Sequence, residues 1–139
     1  MPEVAYRKPL PVPSELSRPY WEACRRHELL VQCCRSCGVV RFPPAVLCPE
    51  CLSEEAEWKK SSGKGKVLSF VVFHRLYHPG FEGELPYTVA LIEVEEGARL
   101  ISNVVGCPPA EVACDMPVEV VFEDVTPEVT LPKFRPRSP

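Results

Sequence analysis

A mainly β fold is predicted: a short N-terminal helix and a small metal-knuckle module, followed by a five-stranded barrel or sandwich. Three observations predict it. Two CxxC pairs, Cys34-Arg35-Ser36-Cys37 and Cys48-Pro49-Glu50-Cys51, stand ten residues apart in the first half of the chain. The second half carries five β-type apolar runs separated by turn-rich joins. Seventeen prolines among 139 residues argue against long helices, because each fixes φ and removes a backbone donor.

Residues 1–13 (MPEVAYRKPLPVP) carry proline at positions 2, 9, 11 and 13, which blocks helix and central strand alike. They read as an extended arm, either a disordered tail or a strap that wraps a partner. Ser17 is placed to cap a short helix with Pro19 in its first turn, running to about residue 27. Tyr20, Trp21 and Cys24 share one face of it at 3.6 residues per turn. That face packs against the knuckle module or another subunit, and Tyr20 and Trp21 are its candidate partner contacts.

Residues 29–32 lead into the first knuckle and residues 39–42 leave it, two short strands ended by Pro43-Pro44. Two CxxC pairs at this separation are the spacing of a zinc ribbon, with Cys34, Cys37, Cys48 and Cys51 as ligands. Four thiolates leave no position for water, so the Zn2+ is structural rather than catalytic. Gly38 and Pro49 suit the tight turns that aim backbone amides at sulfur. A disulfide framework would need an oxidising compartment, yet residues 1–18 lack an apolar leader, and a cytoplasmic location is expected. A redox CxxC would be single and in a βαβ context. Cys33 is an alternative ligand in principle, but only Cys34 makes the two-residue spacing to Cys37.

Composition changes near Ser61-Ser62-Gly63, and three segments are drawn: arm and helix 1–28, ribbon 29–60, barrel 61–139. Strands are expected at 66–76, 86–95, 99–105, 117–124 and 129–134. In the first, Val67, Val71 and Phe73 are assigned to one face and Leu68, Phe70 and Val72 to the other. A strand apolar on both faces is central, or covered by a partner. Glu95-Glu96-Gly97-Ala98 supplies a hairpin, and residues 106–115 admit a single helical turn from Pro109. A five-stranded barrel with a helix between strands three and four is the OB-fold pattern, which other small barrels also approach.

No run approaches the roughly 20 apolar residues of a membrane span. Residues 63–139 hold seven Lys/Arg against eleven Asp/Glu, a poor match for a phosphate backbone, so no nucleic-acid partner is expected. His27, His74 and His78 are the only histidines, and no motif pairs one with Ser or Cys. Cys107 and Cys114 read as small buried hydrophobes rather than nucleophiles, so no catalytic residue is assigned.

Two segments are candidates for contacting a nucleotide-bearing ligand. Lys64 and Lys66, with Lys59 and Lys60 nearby, flank Gly63 and Gly65; the competing reading is a solvated linker turn. The loop from Tyr77 to Glu84 displays Tyr77, His78 and Phe81 on the border of an OB-fold's usual ligand face; the competing reading is half-buried packing.

Several runs together are similar to the DUF35 family. They are Trp21-Glu22-Ala23-Cys24-Arg25, then Leu29 through Gly38 around the first knuckle, Arg41-Phe42-Pro43-Pro44, and Cys48-Pro49-Glu50-Cys51. Ser62-Gly63-Lys64-Gly65-Lys66-Val67, Pro86-Tyr87, Met116-Pro117-Val118-Glu119-Val120 and Leu131-Pro132-Lys133-Phe134-Arg135-Pro136 follow in order. The resemblance implies a rubredoxin-like zinc ribbon joined to an acyl-CoA-associated OB-fold. It also implies an accessory subunit of thiolase-like enzymes, a hetero-oligomer in which the partner supplies the reactive Cys and the His base. The ligand of the complex would be CoA or an acyl-CoA thioester, with Lys64, Lys66, Tyr77, His78 and Phe81 as contacts. The rival functions are a nucleic-acid or general protein-binding module, and a scaffold with no ligand contact.

Overall fold

The computed structural model describes residues 6–138. Residues 1–5 of the proline-rich arm lie outside them. One helix, α1 (Arg18–Arg25), precedes a three-stranded antiparallel sheet of β1 (Leu30–Cys34), β2 (Val40–Arg41) and β3 (Ala56–Lys60), ordered β2-β1-β3. The rest is a closed barrel of β4 (Lys64–Phe73), β5 (Tyr87–Val94), β6 (Arg99–Val104), β7 (Pro117–Asp124) and β8 (Thr130–Pro136), ordered β4-β5-β6-β8-β7. Its pairs are antiparallel except β6–β8, a parallel contact at Val104 and Phe134 that closes the barrel. Single 3-10 turns lie at Pro79–Phe81 and Pro109–Glu111, the second between β6 and β7 as expected for an OB-fold.

The helix stops at Arg25, short of the end expected near residue 27. Ser17 does stand at the N-cap, but its hydroxyl makes no cap bond; it accepts instead from Ser14 N (2.9 Å), while Ser17 N donates to Ser14 Oγ (3.1 Å). At the other end His27 takes φ 60°, and Glu28 N reaches back to Ala23 O at 2.9 Å, a left-handed C-terminal stop occupied by histidine instead of glycine. The stop aims His27 at the barrel. Its Nε2 lies 3.0 Å from Asp124 Oδ1, its ring stacks on Phe122 at 5.2 Å, and Thr130 Oγ1 donates to the same carboxylate at 2.6 Å.

Tyr20 and Cys24 are buried by the chain itself: α1 packs on β1 and β8, and the Tyr20 ring lies 4.8 Å from that of Phe42. One continuous core therefore joins Tyr20, Cys24, Leu29 and Val31 of the N-terminal part to Val67, Ile92, Val118 and Phe134 of the barrel. The interface expectation for Tyr20 is corrected accordingly. At 4% exposure it belongs to this core, and only the half-buried Trp21 remains at the surface.

Two features of the strands differ from the pattern in the sequence. β3, with Trp58 among charged neighbours, pairs with β1 over five residues, so the ribbon sheet has three strands where two were expected. In β4 a bulge between Val67 and Ser69 adds one residue against β5. The extra residue inverts the side-chain alternation, so Val67 and Phe70 face the core while Val71 is 56% exposed. Val67 and Val71 thus lie on opposite faces, not on one.

Candidate metal centre and barrel ligand face

The two knuckles repeat one backbone plan. Gly38 N donates to Cys34 O and Cys34 N to Val39 O, both at 2.9 Å; Leu52 N donates to Cys48 O and Cys48 N to Ser53 O, again at 2.9 Å. Each turn needs a left-handed residue after its second cysteine. Gly38 supplies it in the first (φ 81°), Leu52 in the second (φ 63°), where Pro49 had been the expected turn residue. Only position 38 was legible, since leucine gives no sign of positive φ.

The four sulfurs converge. Cys34 Sγ and Cys51 Sγ are 3.6 Å apart, as are Cys37 Sγ and Cys48 Sγ, and all four lie within 4.8 Å of one another. A tetrahedral ion with Zn–S bonds of about 2.3 Å places its sulfurs about 3.8 Å apart, so the donor set and its spacing fit Zn2+. All eight cysteines are free thiols among the described residues, and Cys33 turns toward Gly38 O (3.7 Å) instead of joining the cluster. The backbone N–H of Cys37 holds the Cys34 thiol down to about 6. The N–H of Cys51 lowers that of Cys48 in the same way. Cys37 is lowered by the Val39 N–H, but lost solvation and the adjoining thiols outweigh this and push it up to about 12. Two of the four sulfurs thus favour ionisation and their neighbours resist it, a mismatch that a divalent cation removes.

A buried polar brace, not anticipated from sequence, fixes the loop between the knuckles. Gln32 Oε1 accepts from Arg41 Nε and from Ala45 N, both at 2.8 Å, and Arg41 Nη2 donates to Ala45 O at 3.1 Å. The available signal was a polar pair, Gln32 and Arg41, within otherwise apolar strands, and these two are directly paired across β1 and β2.

The five candidate ligand contacts do not form one site. Lys64 and Lys66 open β4, whereas Tyr77, His78 and Phe81 follow its far end, about 30 Å away along ten strand residues. The glycines beside the lysines serve packing. A Cβ on Gly65 would meet Glu93 O at 2.5 Å, and Gly63 takes φ 79° where a Cβ would collide with the Val120 side chain. Ser61 and Ser62 tie the same joint to the β5–β6 hairpin through Glu95 and Glu96. In the loop, His78 Nδ1 accepts from Gly80 N at 2.9 Å and so acts as a turn cap. Tyr77 is exposed, with Arg75 over its ring at 5.4 Å. Phe81 stacks on Tyr87 at 4.8 Å.

The described part of the arm docks on this same loop. Lys8 Nζ lies 2.7 Å from Glu84 Oε1 and 4.9 Å above the Phe81 ring, and Gly80 packs against the backbone of Arg7. Phe81, Lys8 and residues of β5, β6 and β8 line a cavity at this end of the barrel. Among the described residues no helix is long and apolar enough to cross a membrane.

The ChsH2 rubredoxin-like zinc ribbon domain matches residues 21–57, and the ChsH2 C-terminal OB-fold domain matches residues 58–123. A probable enoyl-CoA hydratase alpha subunit of Thermomonospora curvata is 41% identical over 120 residues, 86% of this chain but only 37% of that protein's length. A DUF35 domain-containing scaffold protein of Methanothermobacter thermautotrophicus is 37% identical over 116 residues, 83% of this chain and 86% of its own. A solved structure described as an Ltp2-ChsH2(DUF35) aldolase superposes with a TM-score of 0.83 at 38% identity, over 91% of this chain and 98% of that one. The zinc-ribbon and OB-fold matches abut at residue 58, near where the strands pass from the ribbon sheet to the barrel, and this protein belongs to the DUF35 family.

Proposed function

We propose that this chain is a non-catalytic, zinc-bearing accessory subunit of a thiolase-fold enzyme acting on CoA thioesters, and that it helps to form the thioester site. The observation that carries the partner half is the outer face of β4, β5 and β6. Ser69, Leu91 and Ile101 stand side by side across the three strands, as do Val71, Val89 and Asn103. Ile101 is 73% exposed, and Tyr77 lies 69% exposed in the loop that follows β4. Apolar residues on neighbouring strands of one solvent-facing sheet mark an interaction surface. Ile101 also lines a groove with Trp21, Phe42 and Leu131, so the half-buried tryptophan extends the same surface.

The chemistry available within the chain supports an accessory role. His27 is committed to Asp124 and His78 to a turn, and a four-thiolate zinc shell has no open position for water. A partner supplying its own Cys and His would perform carbon–carbon bond cleavage or formation. The name of the aldolase structure, and the hydratase-subunit and scaffold names of the two relatives, support assembly with an acyl-CoA enzyme.

The test is co-expression with a candidate thiolase-fold enzyme. The expected outcome is a stable hetero-oligomer burying on the order of 2,000 Å² or more, with thiolytic or aldol activity that neither chain shows alone. A monodisperse monomer that leaves the enzyme's activity unaltered overturns the proposal.

A further inference from the structure

The ribbon sheet has two buried faces of different character. Leu29 and Val31 belong to the shared core, and Val40 and Phe42 pack against that core from the neighbouring strand and its end. Alternation along β1 sends Gln32 and Cys34 to the opposite face, and register puts Arg41 directly beside Gln32 there. That face is buried as well, with Gln32 5% exposed, Arg41 7% and Cys34 1%. Ala45 bonds to both Gln32 and Arg41, and three residues later the same loop delivers Cys48, which is fully buried. The brace and the first metal ligand therefore stand on one face of β1, a two-residue repeat of about 7 Å apart.

Arg41 carries a charge that no carboxylate answers. Among the described residues it takes part in none of the ion pairs. Its acceptors are two neutral carbonyl groups, Gln32 Oε1 at 2.8 Å and Ala45 O at 3.1 Å, and Nη1 is buried without a hydrogen-bond partner. A neutral side chain could hold Ala45 without the cost of taking a guanidinium out of water. A buried charge is tolerated where an opposite charge compensates it. A carboxylate from another chain has no access, because Nη1 is closed off from the surface. Within the ribbon the opposite charge is at hand, since a divalent ion held by four thiolates is a dianion.

We propose that Arg41 is the counter-ion of the zinc–thiolate dianion, held on the metal's face of the sheet by Gln32 and Ala45. The cation favours the doubly negative, metal-loaded centre over the metal-free thiols. The dependence is mutual: the dianion offsets the burial of the guanidinium, and the guanidinium steadies the loop that brings Cys48. The inference rests on the metal assignment above, which the zinc content of the parent chain tests by itself.

The discriminating substitution is Gln32→Glu. The new carboxylate accepts the same bonds from Arg41 Nε and Ala45 N, so the brace survives while the guanidinium is neutralised on the spot. A brace that only fixed the loop would be as strong or stronger, whereas a counter-ion would be cancelled. The full-length chain is prepared with zinc and, separately, with iron, which four thiolates also accept. The expected result is that Gln32→Glu gives up zinc to a chromogenic chelator with an apparent affinity about tenfold weaker, the order of a unit charge acting across a protein interior. With iron, the oxidised centre is singly and the reduced centre doubly negative, so cancelling the cation lowers the potential, by about 59 mV for a tenfold change. Arg41→Lys keeps the charge and loses the fork, so Tm should fall while the potential stays near the parent's. A Gln32→Glu chain that holds zinc as tightly as the parent, at an equal or higher potential, overturns the inference. So does an Arg41→Lys chain whose potential drops as far as that of Gln32→Glu. If Gln32→Glu does not take up metal, Arg41→Met and Arg41→Lys carry the same comparison: the methionine variant should have the lower potential, and equal potentials overturn the inference.

Discussion

Replacing Cys48 by Ser should release the metal and unfold the ribbon while the barrel persists. Cys48 is completely buried, and its sulfur faces that of Cys37 at 3.6 Å, so the substitution removes an inner donor that solvent cannot replace in place. The ribbon sheet around it is small: β2 has two residues, and the buried aliphatics are Leu29 and Val31. Structural zinc contributes an apparent 10–16 kcal/mol or so at neutral pH, whereas whole domains are stable by only about 5–15 kcal/mol. Losing even half of the metal's contribution is therefore enough to melt a sheet with only two buried aliphatic side chains around it. Zinc content by mass spectrometry should fall from about one ion per chain to near zero. Hydrogen exchange should show protection lost at Val31 and Gln32 but kept at Ile92 and Val118 in the barrel. Cys33→Ser is the control, and it should keep both zinc and protection, because Cys33 points away from the cluster. A Cys48→Ser protein that still binds one zinc with a protected ribbon would refute the assignment.

Three further predictions concern other parts of the molecule. Leu52→Gly should raise Tm, or hold zinc against a chelator longer, by relieving a left-handed leucine at φ 63° worth about 1 kcal/mol; a fall in Tm would mean that the exposed side chain matters more than the backbone. Burial pushes the Glu96 carboxyl up, but the Ser61 hydroxyl and Ser62 N–H outweigh it and leave it lowered; Asp124 is lowered by Thr130 and His27. Lowered carboxylates stabilise the fold above their unfolded values near 4 and lose that contribution as pH falls through the folded values. Tm should therefore drop on acidification, and Glu96→Gln should flatten the drop; a Tm that rises toward pH 3 contradicts the sign. Ile101→Glu should leave Tm nearly unchanged, since the side chain is 73% exposed, but should weaken assembly with the enzyme partner at least tenfold in a pull-down titration. Undiminished assembly would remove the β4–β6 face as the interface.

What could be read directly from the chain was what short stretches of backbone decide for themselves. The two CxxC turns, the hairpin at Gly97, the single turn at Pro109 and the strand expected at 86–95 are each set within a few residues, and all appear where expected. Tertiary structure decided the relations between segments. β3 is a strand because β1 offers it a ladder; Trp58 among charges gives no period of its own. The bulge after Val67 depends on the fit of β4 against β5, and one added residue exchanges every face beyond it. Tyr20 and Cys24 announced a shared helix face, but only packing showed that β1, β8 and Phe42 cover it. Lys64 and Phe81, seventeen positions apart, end up at opposite ends of one extended strand, whereas Lys8, Thr88 and Lys133 meet around a single cavity. Barrel closure through Val104 and Phe134 joins residues 30 positions apart, and no local pattern records which side chains such a closure brings together.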